Sequence, residues 1–80
     1  MRILSQDKRI LIEAKVIWIE ESASGTFKIY AEAESTRFLV GEYSTNERAI
    51  QEITCLSNYN GHDAAHIQQE ILNPMGVNDR

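Results

Sequence analysis

The two histidines of the chain, His62 and His66, are the residues whose type and spacing most resemble a metal site. Two histidines four positions apart on a helix can share a zinc ion, and Glu70 would extend the same row. However, Asp63 is a preferred N-cap residue, and a helix that begins there leaves His62 outside. His66 and Glu70 then form an exposed i,i+4 pair of small energetic value. The pattern favours an ordinary helix start, so we predict no metal ligand and no cofactor.

The single cysteine, Cys55, is the other candidate for chemistry, because a histidine could activate it as a nucleophile. It lies deep in a predicted helix rather than at a helix N-terminus, where the pKa of its thiol would be lowered. No oxyanion donors or orienting group accompany it. Glu32 and Glu34 lie on the polar side of a predicted strand, where solvated carboxylates are common. We predict no catalytic residue and no enzyme activity; an enzyme or metal protein centred on Cys55 and the histidines is a rival hypothesis.

Size and charge limit the class of protein. The chain has 80 residues, a net charge of −4 and one cysteine. These values are typical of one small domain in a reducing cytoplasm. Its N-terminus lacks the pattern of a signal peptide, and no run approaches the ~20 apolar residues of a membrane span. The eight positive residues are scattered, which argues against a nucleic-acid footprint. We therefore expect a cytoplasmic protein that binds neither membrane nor nucleic acid.

Alternation of apolar and polar residues predicts the strands that must position any site. Residues 10–19 read as one strand with a buried face, residues 27–34 alternate most cleanly, and residues 37–43 follow a second turn. A four-residue loop at 22–25 would place Trp18 opposite Ile29. A two-residue loop at 35–36 would place Ala31 opposite Val40. Both registers predict one apolar face: Val16, Trp18, Phe27, Ile29, Ala31, Ala33, Phe38 and Val40.

The segment after these strands predicts a helix that covers this face. Ser44 and Glu47 match a capping box, and Gly61 would follow the helix end. The expected inward stripe comprises Ala49, Ile50, Ile53, Leu56 and Ser57. The prediction is an α+β fold: a small antiparallel β-meander of three to four strands, the last from a weaker strand at 2–4. One main helix packs on one face, and a second short C-terminal helix ends at Asn73-Pro74. Residues 1–73 would form a single domain, and 74–80 a flexible tail.

The opposite face of the predicted sheet carries a second apolar group, formed by Ile17, Ile19, Tyr30, Leu39 and Tyr43. Monomeric proteins rarely leave such a patch in water, so either residues 63–72 or another chain should cover it. We predict these five residues as an interface, with Tyr30 and Tyr43 as anchors, because aromatic residues dominate interface energy. The expected partner is a second copy in a homodimer or other homo-oligomer, or a host protein.

Two motifs carry a resemblance to a known group of proteins. The start "MRILSQD" and the segment "GEYSTNERAIQEI" resemble short uncharacterised proteins of Gram-positive bacteria and their phages or prophages. Those proteins begin Met-Arg-Ile/Val-x-Ser-Gln-Asp/Asn and enter their helix through x-Glu-Tyr-x-Ser/Thr-x-Glu-x-Ala. The second motif is matched here by Glu42, Tyr43, Thr45, Glu47 and Ala49. The match spans roughly residues 1–57. The resemblance implies a phage or prophage setting and no known activity.

The leading functional hypothesis is therefore a non-enzymatic, self-associating or protein-binding module of phage or prophage origin. The alternative is a small acidic inhibitor of a host defence or nucleic-acid-handling protein, similar to anti-CRISPR proteins in size and charge. Its contact surface would be the acidic set Glu13, Glu20, Glu21, Glu32 and Glu34. Direct binding of nucleic acid is a further rival, which the scattered positive charge disfavours.

Overall fold

The computed structural model describes residues 1–59, 61 and 63–69. The elements in chain order are β1 (Arg2–Leu4), β2 (Leu11–Glu13), β3 (Val16–Glu21), β4 (Phe27–Ala33), β5 (Thr36–Tyr43), α1 (Asn46–Ser57) and β6 (Ala65–His66). Strands β3, β4 and β5 form an antiparallel sheet in that order. Strand β1 lies in a second sheet, between antiparallel β2 and parallel β6. The predicted α+β class, three-stranded meander and main helix are confirmed, whereas β1 is not a fourth strand of the meander.

One hydrophobic core lies between the three-stranded sheet, α1 and the second sheet. Helix α1 contacts β3, β4 and β5. We call the sheet face toward α1 the inner face and the opposite face the outer face. Ile3, Ile12 and Ile67 of the second sheet belong to the same buried cluster as Ile29 and Val40 of the meander. The second sheet therefore shares its core with the meander, which gives this short chain more buried surface than one helix could provide.

The predicted strand 10–19 is divided into β2 and β3 by a break at Ala14–Lys15. Ile12 and Ala14 are buried on one side of the break, whereas Ile17 and Ile19 pack against the core on the other. The backbone amide of Ala14 bonds to Met1, and that of Lys15 bonds to Glu32, so the chain changes sheets here. The inward positions change from even to odd numbers at this step. The prediction of one strand with a single buried face along residues 10–19 was therefore wrong for its second half.

The β3–β4 hairpin has a three-residue loop, residues 23–25, rather than the predicted four-residue loop. The Ser22 amide donates to the Thr26 carbonyl over 2.8 Å. Gly25 has φ 88°, the left-handed conformation that closes loops of this length. One residue less in the loop moves the register by one, so Trp18 lies opposite Tyr30 and Ile19 opposite Ile29. A shift of one residue reverses every side chain of the strand, and Trp18 is therefore on the outer face.

Strand β5 differs from its prediction in the turn before it and in a bulge. The two-residue turn is Glu34-Ser35, one residue earlier than expected, so Ala31 lies opposite Phe38 instead of Val40. The register then changes between Tyr30 and Ile29, with Val40 as the extra residue of β5. Beyond this bulge the alternation of β5 is reversed. Tyr43 consequently lies opposite Phe27 on the inner face rather than on the outer face.

The Glu34-Ser35 turn is strained, which gives a stability prediction. Both residues have positive φ, 53° and 68°, as a type I′ turn requires, and neither is the asparagine or glycine that favours it. We expect the double substitution Glu34→Asn/Ser35→Gly to raise the free energy of unfolding by about 1 kcal/mol. Urea denaturation followed by circular dichroism measures the change.

A matched control is Gly25→Ala in the other hairpin. Its added Cβ meets no atom within 4 Å, so only backbone strain acts there. We expect a loss of about 1 kcal/mol at this position. A lower free energy of unfolding for the Glu34→Asn/Ser35→Gly variant would contradict the assigned turn.

Helix α1 begins one residue later than predicted. Thr45, not Ser44, is the N-cap, and its side-chain oxygen accepts a bond from the Arg48 amide. The predicted Ser44/Glu47 capping box is therefore wrong. Asn58 is the C-cap, so Gly61 lies beyond the helix end. The buried helix residues are Ala49, Glu52 and Leu56, whereas Ile50 and Ser57 of the predicted stripe are exposed.

Residues 63–69, where a second helix was predicted, contain the short strand β6 instead. Ala65 and Ile67 are buried, which is the two-residue period of a strand. The Ile67 amide donates to the Leu4 carbonyl over 2.9 Å, on the open edge of β1. An isolated short helix is marginal in water, so pairing with an open strand edge is the more stable use of this backbone. The predicted helix end and the tail 74–80 lie outside the described residues.

Candidate interaction surface on the outer sheet face

The five predicted interface residues do not lie on one face. Ile17 and Ile19 pack against the core, and Tyr43 is only 1% exposed within it. Tyr30 and Leu39, which lie opposite each other, are on the outer face. The hairpin loop length and the Val40 bulge are the physical reasons, because each reverses an alternation. The predicted set is corrected accordingly: Tyr43 is a core residue, and Ile17 and Ile19 are partly buried residues that pack against the core.

The observed registers arrange the outer face in three rows that run across the strands. The central row is Trp18, Tyr30 and Leu39, taken from β3, β4 and β5. One flanking row is Val16, Glu32 and Arg37, and the other is Glu20, Lys28 and Glu42. Because directly opposed residues share a face, an apolar band crosses the sheet between two charged rows. This arrangement is our candidate functional site.

Trp18 and Tyr30 form the centre of the apolar band. Their rings are stacked, with centroids 5.8 Å apart and planes at 23°. The Arg37 guanidinium lies over the Tyr30 ring, 4.2 Å from its centroid. Offset aromatic pairs and cation–π contacts each contribute about 0.5–1 kcal/mol. The aromatic rings are therefore held in one orientation before any partner arrives.

Glu20 binds both Trp18 and Arg37, the residues on either side of the Tyr30 ring. Its carboxylate accepts a 2.8 Å bond from the Trp18 indole and a 2.9 Å bond from the Arg37 guanidinium. The indole bond is the main reason why the pKa of Glu20 is lowered, and the Arg37 charge acts in the same direction. The Glu20 carboxylate is therefore protonated at a lower pH than an ordinary glutamate. It fixes Trp18 and Arg37 through direct bonds rather than through burial.

The margins of the band are open to solvent. Val16 is 51% exposed and Leu39 is 41% exposed. Helix α1 and the second sheet share the core on the inner side of the sheet. Tryptophan, tyrosine and arginine are the residue types that carry most binding energy in protein interfaces. An apolar band with oriented aromatics and charged borders is chemically suited to contact with another protein surface.

Gln6 is an important residue that sequence reasoning missed. Its backbone amide bonds to Val40, and its side-chain amide both accepts from the Glu42 amide and donates to the Glu42 carbonyl. The same side chain donates to the Gln68 carbonyl over 3.0 Å. Gln6 therefore forms hydrogen bonds with backbone groups on the edge of β5 that no strand of the meander pairs with, as a neighbouring strand would. Its flanking residues Ser5 and Asp7, bonded to each other, close the β1–β2 turn.

Glu52 was also missed, because a glutamate in a helix is normally assigned to solvent. It is only 3% exposed, and one carboxylate oxygen accepts a 3.0 Å bond from Arg48. The other oxygen accepts a 3.0 Å bond from the Gln68 amide, which anchors the segment after β6. The Tyr43 hydroxyl donates to the Gln68 carbonyl. Glu52 is thus fully occupied in holding the chain beyond α1.

Cys55 and His66 line one cleft of about 310 Å³ between α1 and β6, together with Glu52, Leu56, Tyr59, Ala65 and Gln68. No hydrogen bond joins Cys55 to His66 among the described residues, and Glu52 already binds Arg48 and Gln68. Within that part of the chain, no group of three potential ligands could hold a metal ion. His62 and Glu70 lie outside the described residues. Among the described residues, the cleft therefore holds no nucleophile hydrogen-bonded to a base.

The five carboxylates of the predicted acidic surface come from several elements of the fold. Glu20 and Glu32 are on the outer face, in different rows. Glu13, in the second sheet, binds the N-terminal amine over 2.8 Å. Glu34 lies in the β4–β5 turn. Glu21 ends β3, and Glu13 and Glu34 line one pocket. The acidic inhibitor stays a prediction.

Comparison of the chain with protein-family models, with curated proteins and with solved structures gave no match. In the part of the chain that the structure describes, no helix is long and apolar enough to cross a membrane. The functional interpretation therefore depends on the geometry of the outer face.

Proposed function

We propose that this chain is a non-enzymatic module that works by protein–protein contact and self-associates through its outer sheet face. The observation that supports this best is the apolar band of Trp18, Tyr30 and Leu39, with its stacked rings on the sheet face opposite α1. A cytoplasmic setting in a phage or prophage belongs to the same proposal and is supported by the resemblance of residues 1–57.

The partner is a second copy of the chain, because the outer face carries both charge signs in alternating positions. Its charged rows contain Glu20, Glu32 and Glu42 together with Lys28 and Arg37. A surface specialised for nucleic acid would carry an excess of positive charge, and an acidic inhibitor surface an excess of negative charge. A mixed, nearly balanced face can complement itself, as an interface with two-fold symmetry must.

The size of the face indicates how tight the contact can be. Three strands about 4.8 Å apart and five residues with a rise of about 3.3 Å give a footprint of roughly 240 Å². A standard stable interface buries ~800 Å² on each partner. We therefore expect a weak dimer, with Kd in the micromolar range or above.

Trp18 offers a direct test, because it is the only tryptophan of the chain and lies within the proposed contact. We expect acrylamide quenching of its fluorescence to fall as the protein concentration rises from about 1 µM to about 1 mM. Leu39→Lys places a charge in the apolar band and should abolish this concentration dependence. The circular dichroism spectrum should be unchanged, because Leu39 lies on the outer face.

The matched control is Leu11→Lys, which makes the same change at an exposed leucine of the second sheet. This variant should retain the concentration dependence of the wild type. Quenching of the wild-type protein that is independent of concentration up to about 1 mM would contradict self-association. Equal loss in both lysine variants would contradict the assignment to the outer face.

A further inference from the structure

The charge pattern of the outer face determines how two copies can lie against each other. A face-to-face dimer has its two-fold axis between the sheets, and two simple orientations exist. The axis follows either the central row or the strand direction. In the first orientation each residue of the central row faces the same residue of the second copy, and each charged row faces the other charged row of the second copy. In the second orientation each row faces itself, and β3 faces β5 of the partner.

With the axis along the central row, opposite charges meet. Glu32 of one copy faces Lys28 of the other, because both lie on β4 on either side of Tyr30. On β5 the backbone positions of Arg37 and Glu42 oppose each other in the same way, but the Arg37 guanidinium lies over Tyr30 and the Glu42 carboxylate accepts a bond from Thr26. Symmetry repeats the contact between Glu32 and Lys28, and it places Val16 opposite Glu20. Oppositely charged neighbours across such a contact stabilise it by a few tenths of a kcal/mol to about 1 kcal/mol each.

With the axis along the strands, like charges meet. Glu32 would face Glu32 of the other copy, Lys28 would face Lys28, and Glu20 would face Glu42. Each of these contacts is repulsive, and juxtaposed like charges are a recognised means by which proteins exclude wrong arrangements. The two orientations place the same apolar residues in contact at the centre. Their charged borders therefore decide between them.

We infer that two copies of this chain pack outer face to outer face about a two-fold axis along the Trp18–Tyr30–Leu39 row, with Glu32 of each copy opposite Lys28 of the other. This inference rests on the proposed self-association. Each strand lies antiparallel to its own copy, and Trp18 faces Trp18. Arg37 remains over the Tyr30 ring and bonded to Glu20 of its own chain, so the Glu32–Lys28 contact decides the orientation.

Charge reversal on β4 tests the orientation by sedimentation equilibrium. Lys28→Glu alone and Glu32→Lys alone should each raise Kd by about tenfold, because symmetry converts two attractive contacts into two repulsive ones. The double variant Lys28→Glu/Glu32→Lys should return Kd to within about threefold of the wild type, since the charges oppose each other again. Arg2→Glu, the same charge change in the second sheet, should leave Kd unchanged.

The outcomes separate this inference from the proposed function. Suppose that the wild type forms a dimer. If the single charge reversals dimerise as tightly as the wild type, or if the double variant does not regain the wild-type Kd, the orientation is overturned. Association through the outer face then still stands. A wild-type chain that is monomeric at about 1 mM overturns the proposed function as well. Thermal unfolding of each variant verifies that the loss of binding does not come from a loss of fold.

Discussion

Ile29→Ala is expected to unfold most of the protein at 25 °C. Ile29 is 0% exposed on the central strand β4, and it belongs to the buried core cluster. Truncating a fully buried isoleucine costs about 2–5 kcal/mol, the sum of lost transfer energy and the cavity left behind. A small single domain has only ~3–5 kcal/mol of stability in total. The substitution therefore removes most or all of the free energy of unfolding.

Urea denaturation by circular dichroism and the dispersion of amide NMR signals measure this loss. Ile50→Ala is the matched control, because Ile50 is an exposed isoleucine of α1 and alanine favours a helix. That variant should unfold within about 0.5 kcal/mol of the wild type. An Ile29→Ala protein as stable as Ile50→Ala would place Ile29 outside the core and contradict the register of the sheet.

Glu52→Ala is expected to lower the free energy of unfolding by about 2–3 kcal/mol. The substitution leaves the Gln68 amide without its acceptor and removes the ion-pair partner of Arg48. Removing one member of a buried pair costs about 3–5 kcal/mol, and the partial exposure of Arg48 reduces that value. Glu52→Gln keeps an oxygen acceptor and should lose about half as much.

Two measurements follow the Glu52 substitutions. Urea denaturation gives the stability, and amide hydrogen exchange at Gln68 reports the local loss, since that amide should exchange much faster in Glu52→Ala. Gln51→Ala, an exposed neighbour on α1, is the control and should change neither measurement. Unchanged exchange at Gln68 in Glu52→Ala would show that Glu52 does not hold the segment after β6.

The kinds of the longer elements and the inner face of β4 could be predicted from the sequence, because alternation and helix periodicity extend over many residues. The faces of β3 and of the end of β5 could not, since each depends on a single residue. The three-residue hairpin loop exchanges the inner and outer side chains of β3, and the break at residues 14 and 15 changes the inward positions from even to odd numbers. The extra residue Val40 exchanges the inner and outer side chains at the end of β5. Gly25 was the available signal for the shorter loop, because left-handed glycine closes three-residue hairpins.

Roles of polar residues that depend on distant partners could not be predicted. Gln6 bonds to Glu42 and Gln68, and Glu52 bonds to Gln68, across large separations in sequence. The residues that carry the resemblance also have structural roles, some of them local. Ser5 and Asp7 close a turn, Tyr43 is buried in the core, and Thr45 caps α1. These motifs thus specify the fold, and the outer face lies largely between them.

Isotope-filtered NOE spectroscopy on an equimolar mixture of ¹³C-labelled and unlabelled protein at about 1 mM tests the central claim most directly. Self-association through the outer face predicts intermolecular contacts from the side chains of Trp18, Tyr30 and Leu39, and these contacts should be absent in the Leu39→Lys variant. Intermolecular contacts confined to α1 or to the second sheet, or no such contacts at this concentration, would contradict it.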